Sequence, residues 1–199
     1  MAIMMNLEED AARAKKLAVI FPGIGYRTDK PLLYYAKELA REHGYAIREV
    51  HYRGFPDEAN KKNARGRREL VEIAMEQTQQ LLRSIPVEDG GELLFISKSI
   101  GTAVACAYAQ TCDRAVRHVL YTPLEETPLD GVSDAIAFHG TADNYARTEV
   151  IENAMKAHRI KMYTFQGANH SLETDDTLQD IVTLSHVMKL TGRFFSKNA

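Results

Sequence analysis

Short runs of β-type residues alternate with longer helical patterns along nearly the whole of this sequence. The runs are Leu17–Phe21, Ala46–His51, Leu93–Ser97, His118–Tyr121, Ala135–Phe138 and Lys161–Phe165. Parallel strands cannot be joined by a tight turn and need a crossover, usually a helix, so strict alternation predicts an α/β chain. The expected architecture is a three-layer α/β/α sandwich around a mainly parallel, roughly six-stranded sheet.

The intervening segments supply the helices. Between the first two runs, Asp29 can cap and Pro31 suits a first turn. Leu32, Leu33, Tyr35, Ala36, Leu39 and Ala40 then form an apolar face that Gly44 ends. From Arg67 to Ile85, the residues Leu70, Val71, Ala74, Met75, Leu81, Leu82 and Ile85 recur at helical spacing. The basic stretch KKNARGRR before them reads as a solvated lead-in, because no aromatic residues interleave it as a nucleic-acid surface requires. A helix of small residues is expected over Thr102–Gln110. Cys106 and Cys112 are placed on that helix, too far apart along it to bridge, and read as reduced packing residues. Val150, Ile151, Ala154 and Met155, then Leu178, Ile181, Val182, Leu184 and Met188, mark two more amphipathic helices.

Composition bears on partners. The chain has 199 residues, 45% of them hydrophobic, which suits one domain over residues 1–199 with a core that needs no disulfide or metal staple. With 25 basic and 27 acidic residues the formal charge is -2, so nucleic acid and charged membrane surfaces are not expected partners. A small molecule fits better. The opening MAIMMNLEED has no basic segment followed by an apolar run, and no stretch approaches the roughly 20 apolar residues of a membrane span; a cytoplasmic location is expected.

In an open parallel sheet, ligands bind outside the carboxyl ends of the strands. The loops there are PGIGYRTDKP after the first run, SKSIG after the third, HGTADN after the fifth and QGANHS after the sixth. A serine, an aspartate and a histidine thus follow three separate strands. Ser99 by itself has two readings. A strand turning sharply into a helix exposes the side chain at the turn and tolerates only small neighbours, a demand that Gly101 meets; equally, a serine there can simply cap the helix. His170 could remove a proton from a serine hydroxyl, and Asp143 could hold its imidazole in the required tautomer. His51 and His139 also lie near strand ends, as possible site-lining or structural residues.

Gly23-Ile24-Gly25 could open a dinucleotide-binding turn, but Thr28 stands where the third glycine belongs and the helix begins only near Pro31. No phosphate-cradling G-x-x-x-x-G-K-[ST] stretch occurs either.

The segments Phe21–Tyr26, Ser97–Gly101, His139–Asp143 and Gly167–His170 resemble the oxyanion loop, nucleophile elbow, acid loop and histidine loop of the α/β-hydrolase superfamily. The resemblance spans about Leu17 to Leu190, and more narrowly the chain is similar to the small bacterial hydrolases that keep only the core of that fold and resemble dienelactone hydrolases. Ser97 departs from the pattern, standing where G-x-S-x-G has its first glycine. The resemblance implies a minimal core of that fold. Only Thr122–Ser133 separates the strands between which a lid is commonly inserted, so a lidless, open site is implied. It also implies an oxyanion hole made by the backbone N–H groups of Ile100 and of Ile24 or Gly25, with Ile24 preferred.

The expected pocket walls are Gly25, Tyr26, Arg27, Tyr52, Arg53, Lys98, Tyr121 and Pro123. Arg27, Arg53 and Lys98 either favour an acidic acyl or phosphorylated substrate or are solvated rim charges balanced by Glu125 and Glu126. Lys98 lacks the S-x-x-K spacing of a serine–lysine mechanism and is read as a substrate or loop contact. The implied activity is hydrolysis of small acyl esters or thioesters by Ser99, His170 and Asp143, with no metal or organic cofactor. A reading of a different class is a catalytically silent binding or scaffold protein on the same fold.

Overall fold

A computed structural model describes residues 14–55, 64–82 and 87–196. Within them six strands, β1 (Ala14–Phe21), β2 (Ala46–Glu49), β3 (Val87–Lys98), β4 (Val116–Tyr121), β5 (Asp134–Gly140) and β6 (Lys161–Phe165), form one sheet in the order β2-β1-β3-β4-β5-β6. Every neighbouring pair is parallel. The helices are α1 (Pro31–Glu42), α2 (Ala64–Leu81), α3 (Ile100–Ala109), α4 (Thr148–Ala157) and α5 (Thr177–Phe195).

Side-chain alternation along each strand divides the core between the two faces. Ala18, Ile20, Leu94, Ile96, Val119 and Phe138 meet α1 and α5 on one face. On the other, Leu17, Val19, Phe21, Leu93 and Phe95 meet α2 and α3, and Leu120 and Ala137 meet α4. This is the three-layer α/β/α sandwich expected from the alternation.

Helix α1 begins at Pro31 as expected, but its cap is Lys30, because the Asp29 carboxylate is engaged by Arg27 instead. Gly44 ends it with φ +82°, a value natural to glycine. Tyr35 of the expected apolar face lies exposed. The α2 periodicity holds at Leu70, Ala74 and Leu82, which are buried, while Leu81 is exposed; the expected extension to Ile85 falls outside the described residues, as do Lys61, Lys62 and Asn63 of the basic stretch. Cys112 lies beyond the end of α3, so the two cysteines do not share a helix. Cys106 packs toward α4 and Cys112 toward the α2 side, and neither is bonded.

The largest departure is α5. Leu178, Ile181 and Val182 are 76%, 58% and 61% exposed, and the buried face is instead Val187, Leu190, Phe194 and Phe195. The helix lies against α1 and the sheet from Thr183 onward, so Leu184 and Met188 of the expected face pack partly on that core while Leu178, Ile181 and Val182 stay outside it.

The path from β3 into α3 depends on one glycine. A Cβ on Gly101 would stand 2.3 Å from the Phe21 carbonyl oxygen and 2.6 Å from that of Pro22. Those are backbone atoms of the neighbouring strand and loop, and no side-chain rotation relieves the clash. Gly101→Ala is expected to destabilise the fold by about 3 kcal/mol, the upper end of ordinary overpacking. It should appear as a lowered urea midpoint with an unchanged m-value.

Candidate active site

Five loops at the carboxyl edge of the sheet build the site. Ser99 follows β3 with φ 56° and ψ -126°, a left-handed conformation that costs a non-glycine residue of the order of 1–3 kcal/mol. Its N–H is fixed by donating to the Tyr121 carbonyl at 3.0 Å. Although Ser99 precedes α3, its side chain makes no capping hydrogen bond. The hydroxyl donates instead to His170 Nε2 at 2.8 Å.

His170 Nδ1 in turn donates to Asp143 Oδ2 at 2.6 Å, and the Tyr145 N–H donates to Asp143 Oδ1 at 2.8 Å. The carboxylate can only accept, which fixes the imidazole proton on Nδ1 and leaves Nε2 facing the serine. The Asp143 side chain is fully buried. Burial is the largest single influence and opposes its charge, but the His170 hydrogen bond and charge together with the Tyr145 N–H and His139 outweigh it and hold its pKa below the usual value. Burial, with the positive charge of Lys98 adding to it, lowers His170 to about 4, so the imidazole is neutral at physiological pH. The Tyr145 ring lies against His170, centroids 4.7 Å apart.

The two loops that bring acid and histidine together are locked by a close approach. A Cβ on Gly140 would come within 2.2 Å of the Ala168 carbonyl oxygen, so the end of β5 touches the histidine loop directly.

These side chains open onto a cavity of about 240 Å³ lined by Ile24, Gly25, Tyr26, Lys98, Ile100 and Leu124, among others. The N–H groups of Ile24 and Ile100 are absent from the turn and loop hydrogen bonds among the described residues. Lys98 is buried against the Tyr26 ring, its Nζ 4.9 Å from the centroid. Desolvation lowers its pKa to about 7, against the opposing pull of Asp143 and Glu173. The Tyr26 hydroxyl accepts the Leu32 N–H at 3.1 Å, which ties this wall to α1.

Several expected wall residues lie elsewhere. Tyr121 is fully buried, stacked on Phe138 with its hydroxyl bonded to Thr191, because the last residue of β4 points into the α1/α5 layer; it serves the site through its carbonyl alone. Arg27 is exposed and paired with Asp29 outside the cavity. Tyr52 packs on Phe55 against the α2 layer, and Arg53 is exposed, with its backbone bonded to Gln77; neither lines the cavity, nor does the buried Pro123. Glu125 and Glu126 do not balance these cations. They pair with Arg147 and Arg67.

Arg67 was the residue most hidden in sequence. Instead of belonging to a solvated lead-in, it lies within α2, 13% exposed at its side chain, bonded to both oxygens of Glu126 and lining the cavity. Its one legible signal was the i, i+3 spacing to Leu70, which shares the same wall. Among the described residues, no three or more His, Cys, Asp or Glu side chains assemble as metal ligands would, and no helix is long and apolar enough to cross a membrane.

No protein-family model and no curated protein matches the sequence. Solved structures do match. An alpha-beta serine hydrolase homologue from Coxiella burnetii superposes with TM-score 0.66 at 13% identity, over 91% of this chain and 85% of that one. Esterase 2 of Thermogutta terrifontis superposes with TM-score 0.63 at 15% identity, covering 95% and 85%. A serine hydrolase without lid from Xanthomonas campestris gives 0.56 at 14%, covering 92% and 84%. The chain has the α/β-hydrolase fold. In this version of the α/β-hydrolase fold, residues 122–133 between β4 and β5 contain neither helix nor strand, so no lid is inserted there.

Proposed function

We propose that the protein is a serine hydrolase that cleaves small, accessible acyl esters or thioesters through an acyl-enzyme. The observation that carries this is the unbroken relay from Ser99 Oγ through His170 to buried Asp143, at 2.8 and 2.6 Å, beside an open cavity. A scaffold protein has no need of a serine held at positive φ with its proton already directed at a base.

In this reading Ser99 Oγ attacks the substrate carbonyl carbon as its proton passes to His170 Nε2. The new C–O bond forms as the carbonyl π electrons move onto oxygen, and the N–H groups of Ile24 and Ile100 stabilise that oxyanion. His170 then protonates the leaving alkoxide or thiolate, and the acyl group remains on Ser99. Water, deprotonated by the same histidine, releases it as the acid. Gly25, Tyr26 and Lys98 contact the substrate from the cavity wall. The mechanism needs no cofactor, nucleic acid or membrane.

The test is covalent labelling. Incubation with a fluorophosphonate should add one adduct to the wild type, seen by intact mass, and none to Ser99→Ala or His170→Ala. Folded wild type that takes no adduct would overturn the reading in favour of a binding protein.

The pH profile carries a further expectation. His170 must be neutral to act as base, so kcat/KM should hold as pH falls and be lost only as the histidine protonates near 4. Lys98 helps to keep it that low. Lys98→Met removes the nearby positive charge, which raises the histidine pKa, so the acid limb should move to higher pH; a limb that stays in place would remove Lys98 from this role.

A further inference from the structure

His139, at the carboxyl end of β5, is a histidine the mechanism above does not use. It is fully buried. Its Nε2 lies 3.1 Å from Thr148 Oγ1 at the start of α4, while its Nδ1 has no hydrogen-bond partner. That nitrogen faces Asp143 Oδ2 at 3.9 Å, the same oxygen that receives the His170 proton. Native interiors satisfy nearly all buried polar atoms, and leaving one unpaired costs about 1–3 kcal/mol.

The tautomer follows from what surrounds the ring. Burial holds His139 neutral, against the pull of Asp143 and of Glu152 on α4, so the ring carries one proton. On Nε2, that proton would leave a bare Nδ1 lone pair facing the Asp143 carboxylate. On Nδ1, it presents an N–H to that negative charge, and the Thr148 hydroxyl, which can donate, supplies the hydrogen bond to Nε2. The second arrangement keeps the Nε2 hydrogen bond and turns the Nδ1 proton, rather than a lone pair, toward the carboxylate.

We infer that His139 is a positioning residue for the reaction: Thr148 holds its Nδ1–H toward Asp143 Oδ2, which keeps the carboxylate ionised and oriented for His170. At 3.9 Å this is an electrostatic hold, longer than a hydrogen bond, and catalytic contacts commonly shorten only in the reacting complex. With Tyr145 N–H on Oδ1, His139 completes a cradle around the acid. The inference rests on Ser99, His170 and Asp143 acting as proposed.

Two isosteric substitutions separate this role from mere packing. In His139→Asn the amide nitrogen can occupy the place of Nδ1, whereas in His139→Gln it reaches the place of Nε2. His139→Asn should keep kcat for a short-chain ester within about threefold of wild type. His139→Gln should lose about tenfold in kcat at unchanged KM, less than the ~100-fold that misplacement by an ångström can cost. Thr148→Val, which removes the hydroxyl at a half-buried position, frees the ring to change tautomer and should lower kcat about threefold. On the Asp143→Asn background, His139→Gln should cost nothing further. Equal losses in the Asn and Gln variants, an undiminished Gln effect on that background, or no effect of Thr148→Val would each overturn the inference. If Asp143→Asn alone leaves kcat intact, the triad reading fails instead.

Discussion

Ser99→Ala is expected to lower turnover of a short-chain ester by about a million-fold while the protein stays folded. The size follows from what the hydroxyl does. In the proposed mechanism it forms the covalent bond, and without it neither His170 nor the N–H groups of Ile24 and Ile100 would have an acyl-enzyme to make or break. Residual rate over water would come from binding and the oxyanion donors alone, and residues that act as a unit are not additive. Alanine is as strained at φ 56° as serine, and the lost hydrogen bond faces the open cavity, so stability should change by less than about 1 kcal/mol. Ester kinetics with a thermal melt on the same sample check both halves. Retained turnover in a folded variant would eliminate Ser99 as nucleophile.

Asp143→Asn should cost about 10,000-fold in kcat, although it changes a single oxygen to nitrogen. The geometry sets the direction. Tyr145 donates its N–H to Asp143 Oδ1, so in the variant the amide oxygen stays on Tyr145 and the NH₂ group turns toward His170. Nδ1 must then accept, which moves the imidazole proton to Nε2, the nitrogen that faces the Ser99 hydroxyl at 2.8 Å. A protonated Nε2 cannot take the serine proton. KM should be little changed, because Asp143 is buried behind the histidine and does not line the cavity. A kcat within tenfold of wild type would remove Asp143 from the relay.

Much of this architecture is written locally. Runs such as Leu17–Phe21 and Leu93–Ser97 are apolar at every or nearly every position, which only a strand covered on both faces can use, and the helical stretches between them leave a parallel sheet as the available arrangement. Once the sheet is parallel, its carboxyl edge is the place for chemistry. Ser99, Asp143 and His170 could therefore be singled out from loop position and residue type, and the structure brings the three within hydrogen-bond reach. Ile24 and Ile100 as backbone donors come from the resemblance of their loops to those of the hydrolase superfamily, since loop position alone leaves Ile24 and Gly25 equally eligible.

What sequence could not supply was the choice of partner across distance. Arg67 and Glu126 are far apart in the chain, so nothing local distinguishes a cavity arginine from a solvated one. Arg27 had a nearer acid in Asp29 and was drawn away from the site. Tyr121 ends its strand at the right edge, yet the register of β4 turns its side chain into the core. In α5 two apolar stripes competed, and the helix buries the one that α1 and the sheet reach. His139 looked like one histidine among seven until the fold set its Nδ1 opposite Asp143. Periodicity and loop position, both local, determined the sheet class and the three candidate reacting side chains. Only the tertiary structure decided which charges pair, which faces are covered and what stands behind the acid, because those depend on contacts between residues that the chain itself keeps far apart.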